Sequence, residues 1–180
     1  MLHYPAFSKQ LEIRRGAARS VPIGTQIAVD EHQQIIVATL VTNVASDVGH
    51  LIPVFDRVEQ TVGAIPRRVL ADAGYRSEKN FERLRERNID GHVSLGREGK
   101  TPKRIQLPET KAMKRKLGTK RGRATYKKRK HIAEPAFGWI KAAQGFRQFL
   151  LRGIDKVRAE WDLVCSATNL RRMATRIEWA

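Results

Sequence analysis

The sequence is poor in sulfur and in acid, and it has no long apolar run. Its single cysteine, Cys165, excludes an intrachain disulfide. That residue falls in an apolar helical pattern and reads as a small buried core side chain. No apolar stretch approaches the ~20 residues needed to span a bilayer. Residues 1–20 lack the apolar centre of a signal peptide. A cytoplasmic protein with no membrane partner is the expectation. One cysteine and five scattered histidines (His3, His32, His50, His92 and His131) give no zinc-ligand spacing. Neither a phosphate-cradling glycine loop ending in Lys-Ser/Thr nor a Gly-x-Ser-x-Gly nucleophile turn occurs. Carboxylates are scarce: 18 Asp and Glu stand against 35 Lys and Arg, for a net charge of +17.

What is present is cation, and it is concentrated. Residues 97–130 hold fifteen Lys and Arg against two carboxylates, Glu98 and Glu109, which accounts for thirteen of the seventeen net charges. The rest of the chain is nearly balanced. A polyanionic partner follows, nucleic acid before an acidic membrane surface. By composition alone a non-enzymatic nucleic-acid-binding protein would suffice. With 180 residues the chain is long enough for one domain with a real core.

Residues 1–24 contain Pro5, Gly16, Pro22 and Gly24 and show no sustained period, so they read as irregular. Then the pattern changes. The runs 26–30 (Gln-Ile-Ala-Val-Asp) and 35–42 (Ile-Ile-Val-Ala-Thr-Leu-Val-Thr) are β-branched and flank a short polar stretch. They predict a hairpin whose second strand, almost continuously apolar, is interior. Ser46 or Asp47 can cap a helix bearing Leu51, Val54, Val58 and Val62, with Pro53 near its start. Val69-Leu70-Ala71 reads as a short buried strand and Gly74 as the turn after it. Ser77 caps a helix carrying Phe81 and Leu84, and residues 92–95 make a further strand. This is a mixed α/β order around one sheet. Residues 96–130 read as an extended basic loop with a short helix near Lys111 to Leu117. Beyond it, Phe137, Ile140, Phe146, Phe149 and Leu150 predict one helix face, broken at Gly153. Leu163, Ala167, Leu170, Ala174 and Ile177 predict the apolar face of a last amphipathic helix.

Two carboxylates stand out. Asp72 ends a predicted buried strand, and ligand sites in α/β sheets gather at such strand ends; the competing reading is a turn aspartate bonding the backbone of Gly74. Glu134 opens an amphipathic helix, with Pro135 suited to its first turn. A glutamate there is favourable to the helix dipole in any case. Carboxylates gathered from a sheet and a helix can hold Mg²⁺ through oxygen ligands and serve phosphodiester chemistry. The basic segment would then hold the DNA backbone.

These residues resemble a known family. The stretches Gln26-Ile-Ala-Val-Asp-Glu-His32, Val41-Thr-Asn-Val-Ala-Ser-Asp47, Leu70-Ala-Asp-Ala-Gly-Tyr75 and Arg129-Lys-His-Ile-Ala-Glu-Pro-Ala-Phe-Gly-Trp-Ile-Lys141 look like the catalytic region of bacterial insertion-sequence transposases of the DDE type. The resemblance runs from Thr25 onward. It implies a ribonuclease-H-like mixed sheet flanked by helices, truncated, with a helical C-terminus. It implies DNA as partner, both transposon ends and target DNA, together with a homo-oligomer or a full-length transposase. It also implies two Mg²⁺ ions on an Asp-Asp-Glu set, with metal-dependent cleavage and strand transfer. Asp72 matches the second aspartate and Glu134 the glutamate. Lys141, seven residues on, matches the lysine that contacts DNA, and at 3.6 residues per turn it shares a face with Glu134. Tyr126, Lys127, Lys128, Arg129 and Lys130 are the accompanying DNA-binding candidates.

The chain departs from the family pattern in two places. The signature spaces Arg and Glu by three residues, whereas four separate Arg129 from Glu134, so Lys127 and Lys130 fall in strict register. The first catalytic aspartate has no counterpart: residues 1–24 contain none, and Asp30 matches a hairpin position instead. The expected organisation is an irregular segment, 1–24, followed by a partial catalytic domain, 25–180, containing the basic loop 97–130. A sheet without its first strand would expose an edge and apolar surface, predicting marginal stability or self-association. Two functions remain open: an active transposase, or a catalytically inactive remnant that binds DNA or regulates the full enzyme.

Overall fold

The β-branched runs form the predicted hairpin. β2 (Gly24–Asp30) and β3 (Ile36–Thr42) pair antiparallel. At the turn the Asp30 N–H donates to the Ile35 carbonyl at 2.9 Å, and the Asp30 carboxylate accepts from the Gln33 N–H. The computed structural model describes residues 5–9, 23–44, 46–96 and 107–175. Its sheet has five strands in the order β3-β2-β1-β4-β5, completed by β1 (Pro5–Lys9), β4 (Arg68–Ala71) and β5 (Asp90–Val93). β1 runs antiparallel to β2 and parallel to β4, and β4 runs parallel to β5.

Two strand expectations change. Residues 5–9, within the segment read as irregular, supply the central strand: Ala6 is in register with both Val29 and Leu70. The place expected to lack a strand is therefore filled, and that argument for marginal stability falls. Five residues beginning with proline carry no local strand signal; pairing on both sides holds them. β3, expected in the interior, is an edge strand. It is apolar because helices cover both of its faces, Ala38 packing on one side and Ile36 and Val41 on the other.

Side chains alternate across a strand, so the sheet has two cores. On one face Ala28, Val69 and Ala71 meet Leu51, Val54, Phe55 and Val58 of α1 (Leu51–Val62) and Phe81 and Leu84 of α2 (Glu78–Glu86). Pro53 sits in the first turn of α1, and Ser77 Oγ accepts from the Asn80 N–H at 3.1 Å, capping α2 as predicted. On the other face Ile27, Val29 and Leu70 meet Ile132, Phe137, Ile140 and Trp161.

Where it is described the basic segment is helical: the short helix expected near Lys111 to Leu117 is present, and two further helices stand where an extended loop was expected after it; residues 97–106 lie outside the described residues. α3 (Pro108–Gly118), α4 (Lys120–Lys127) and α5 (Arg129–Ile132) follow one another. Pro108 suits the first turn of α3. The Glu78 carboxylate, at the start of α2, accepts from the N–H groups of Glu109 and Thr110 at 2.6 and 3.0 Å and from the Thr110 hydroxyl at 2.6 Å. An anion thus meets the positive end of α3. At the other end Lys116 Nζ reaches Asp90 Oδ1 at 3.0 Å, and Arg68 Nε reaches Asp90 Oδ2 at 2.6 Å. The α3–α4 corner needs Gly122, where a Cβ would lie 1.9 Å from the Lys116 carbonyl oxygen.

α6 (Glu134–Ala142) ends well before Gly153, because the chain leaves the helix at Gly145 with φ +66°. Phe146 and Phe149 then pack on Trp161 from a loop, while Leu150 stays exposed. α7 (Ile154–Ala174) reverses the predicted face. Its buried residues are Val157, Trp161, Cys165 and Thr168, whereas Leu163 and Leu170 are 71% and 66% exposed. Trp161 carries the largest apolar area in the helix, and Asn169 on the same side binds the edge strand. Its Oδ1 accepts from the Ile36 N–H and its Nδ2 donates to the Ile36 carbonyl, both at 2.8 Å. This pairing satisfies backbone groups that an edge strand leaves open. Ile177 lies outside the described residues. Among them, no helix is long and apolar enough to cross a membrane.

Candidate functional site

Asp72 follows β4 and turns the chain. Its Oδ1 accepts from the Gly74 N–H at 2.9 Å, capping a short 3-10 turn over Ala73–Tyr75. The turn hydrogen bond is therefore present, and the carboxylate is half-buried at the carboxyl end of the strand. A second carboxylate lies beside it. Asp47, in a 3-10 turn over Asp47–His50, is buried, and both acids crowd Gly74. A Cβ on Gly74 would come within 2.8 Å of Asp47 Oδ2 and 3.0 Å of Asp72 Oδ1. The two oxygens are consequently within about 6 Å of each other, the sum of those two distances.

Three buried side chains fix this pair. Asn80 Nδ2 donates to the carbonyls of Val48 at 2.7 Å and Tyr75 at 2.8 Å, tying one turn to the other. Gln26 Nε2 donates to Asp47 Oδ1 at 3.3 Å and lies 3.0 Å from His50 Nδ1. Tyr75 is fully buried, and burial first, then the charges of Asp72 and Asp47, push its hydroxyl pKa far above the usual value. Burial lowers the His50 pKa, with Asp47 opposing. From the sequence, Ser46 or Asp47 serves as a cap for the next helix; the approach of Asp47 to Asp72 depends on the packing of β2, β3 and β4. The small residue at Gly74 was the one local hint of close approach.

Glu134 is elsewhere. It begins α6 with its side chain half exposed and faces Arg129, whose Nη2 is 3.8 Å from Glu134 Oε1. Arg129 is otherwise enclosed, 17% exposed, with its guanidinium over the Tyr126 ring at 5.8 Å. Arg129 and Glu134 therefore meet across the break in the helix at Ala133. The preceding helix α5 is tied to the β2–β3 turn: Gln34 Nε2 donates to the His131 carbonyl and Lys128 Nζ to Glu31 Oε1, each at 2.8 Å. Register sets that turn at the end of the sheet opposite Asp72, since β2 runs antiparallel to β1, and β1 parallel to β4. No described contact brings Glu134 to Asp72. Among the described residues no group of three or more His, Cys, Asp and Glu stands where it could hold a metal ion. The three-carboxylate metal site implied by the resemblance is not assembled by them. The strand between β2 and β4 offers no carboxylate either, its sequence being Pro-Ala-Phe-Ser-Lys.

The cations form a different surface. Lys111, Lys114, Arg115, Lys120, Arg121, Arg123, Lys127 and Lys130 are exposed and make no ion pair with a described residue. Lys141 is exposed on α6, on the side that also bears Glu134 and Gly138, while Ala136, Phe137 and Ile140 face the core. Of the DNA-binding candidates, Lys127, Lys130 and Lys141 are open to a ligand. Lys128 is paired with Glu31, and Tyr126 and Arg129 brace each other.

No curated protein matches the chain. Residues 94–174, from the end of β5 to the end of α7, match the family model of a transposase DDE domain.

Proposed function

We propose that the chain acts on DNA in transposition, holding the phosphate backbone on the exposed cations of α3, α4 and α5 and of Lys141. The observation that carries this reading is the run of eight exposed Lys and Arg between residues 111 and 130 without a carboxylate partner among the described residues. A folded domain that needed these charges only for solubility would intersperse acids among them. Here one carboxylate, Glu109, shares the three helices, and it is bound to Arg85 at 2.8 Å. Helices present cations at fixed spacing, so the salt dependence of binding should count their phosphate contacts at about 0.9 per contact.

Cleavage and strand transfer would rest on Asp72 and Glu134, in a ribonuclease-H-like sheet, with magnesium as the ion. Asp72 has the right surroundings: the carboxyl end of a parallel strand, a rigid turn and a neighbouring acid in Asp47. The described residues do not complete a three-carboxylate site. The same observation favours a second reading, DNA binding without cleavage.

One experiment separates the two. Supercoiled DNA is incubated with the chain and Mg²⁺ or Mn²⁺ beside Asp72→Asn and Glu134→Gln, and binding is titrated across salt. Metal-dependent nicking lost in both variants supports the catalytic reading. Binding without nicking supports the second. Replacement of Lys127, Lys128, Arg129 and Lys130 by alanine should weaken binding and flatten its salt slope; an unchanged slope would remove the basis for both.

A further inference from the structure

α7 carries two apolar stripes, and only one of them is used. Val157, Trp161, Cys165 and Thr168 fill the core. About half a turn away, on the opposite side of the helix, Ala159, Leu163, Ser166, Ala167 and Leu170 form a continuous exposed stripe without a charged side chain. A single exposed leucine is ordinary, but a patch is not. Leu150, Leu151, Leu163, Leu170 and Met173 are half of the exposed large apolar side chains among the described residues, so the exposure is concentrated here. Leu150 and Leu151 adjoin the stripe because their N–H groups are held by Glu160 of α7 at 2.8 and 3.0 Å.

We propose that this stripe binds a second copy of the chain, α7 against α7, antiparallel about a two-fold axis between Ser166 and Ala167. The charges beside the stripe select both the occupant and its direction. At 100° per residue Glu160 and Arg171 stand on the same flank, one in each half of the helix, while Asp155 and Asp162 stand on the other flank in the first half. In an antiparallel two-fold pair each flank meets the same flank of the other copy, with the halves exchanged. Leu163 then lies against Leu170 of the second copy, and Glu160 within about 3 Å along the axis of Arg171 of the second copy, at 1.5 Å per residue. Neither Glu160 nor Arg171 makes an ion pair with a described residue; Arg171 is exposed, its guanidinium carbon 4.2 Å from the centroid of the Trp139 ring. A parallel pair would instead set Glu160 beside Asp155 and Asp162 of the second copy. The small residues at 159, 166 and 167 permit close approach of the two helices, at the short end of the usual ~8–10 Å. The five residues of the stripe themselves offer no cation to a phosphate.

The test uses the full chain without DNA. Sedimentation equilibrium should show a monomer–dimer equilibrium, and Leu163→Glu should raise its dissociation constant ten-fold or more with an unchanged circular dichroism spectrum. Single substitutions Ser166→Cys and Ala159→Cys then report direction independently. Cys165 is buried and its thiol is held protonated by burial, so it does not compete. A short bismaleimide should link Ser166→Cys chains, whose positions meet at the axis. It should fail with Ala159→Cys, whose positions lie roughly 20 Å apart at 1.5 Å per residue. A monomer at all concentrations, or linkage as efficient at 159 as at 166, would overturn the proposal.

Discussion

Asn80 is the side chain on which the acidic end of the sheet most depends. It is buried, and its amide donates to the Val48 carbonyl at 2.7 Å and the Tyr75 carbonyl at 2.8 Å. One of these carbonyls belongs to the turn of Asp47, the other to the turn of Asp72. Asn80→Ala removes both bonds. At about 1 kcal/mol of net stability for each bond, the loss is about 2 kcal/mol. For a domain of this size that corresponds to a fall in Tm of roughly 4–8 °C. Asn80→Asp is the sharper probe. It keeps the shape but replaces the donor with an anion facing two carbonyl oxygens, so it should cost more than alanine. Urea unfolding and thermal melts of the three proteins should rank wild type above alanine and alanine above aspartate. An aspartate variant as stable as wild type, or an alanine loss under about 0.5 kcal/mol, typical of an unconnected surface site, would show that Asn80 does not join the turns.

Gly122→Ala should open the α3–α4 corner. Its Cβ would stand 1.9 Å from the Lys116 carbonyl oxygen, a backbone atom that cannot step aside, so a loss of about 1–3 kcal/mol is expected, as for other overpacked sites. A thermal melt within error of wild type would contradict it. His92, buried on β5, has a pKa lowered by burial, with Asp90 opposing. Its neutral form is the folded form. The stability it contributes is therefore present above the unfolded value of 6.5 and lost as pH falls from there through the lowered folded value. His92→Gln should flatten the decline in stability between pH 7 and pH 5, and an identical slope in the variant would count against it.

The legible parts of the sequence were those that local pattern determines. β2, β3, β4 and the caps of α2 followed from β-branched runs and from Ser77. β1 did not, because Pro5–Lys9 is a strand only by virtue of pairing with Val29 and Leu70 on either side. The basic segment, with Gly, Pro and Thr interspersed, reads as a loop apart from the short helix near Lys111 to Leu117, yet Lys and Arg are good helix formers, and the anion at Glu78 secures the first turn. On α7 the two stripes have nearly the same spacing, and periodicity cannot say which is core. The buried bulk of Trp161 and the grip of Asn169 on β3 decide it. Of the candidate site, Asp72 was found from its place after a strand, whereas Asp47 needed the tertiary fold to bring it alongside.

The surfaces proposed for DNA and for a second copy do not overlap: the cations lie on α3, α4 and α5 and at Lys141, the stripe on α7. This separation gives self-association a consequence for DNA binding. A two-fold pair carries the basic face twice and, bound as a unit, neutralises both sets of phosphates. The salt slope then counts the contacts of two chains, at about 0.9 for each, and the second face binds at a raised effective concentration if one duplex can reach both. Leu163→Glu changes no cation that touches DNA, yet in this arrangement it should halve the salt slope and make affinity independent of protein concentration. Removing Lys127, Lys128, Arg129 and Lys130 should instead lower the slope whether or not the chain pairs. If Leu163→Glu leaves slope and affinity unchanged while abolishing the dimer, the two faces do not engage one DNA together, and each chain binds on its own.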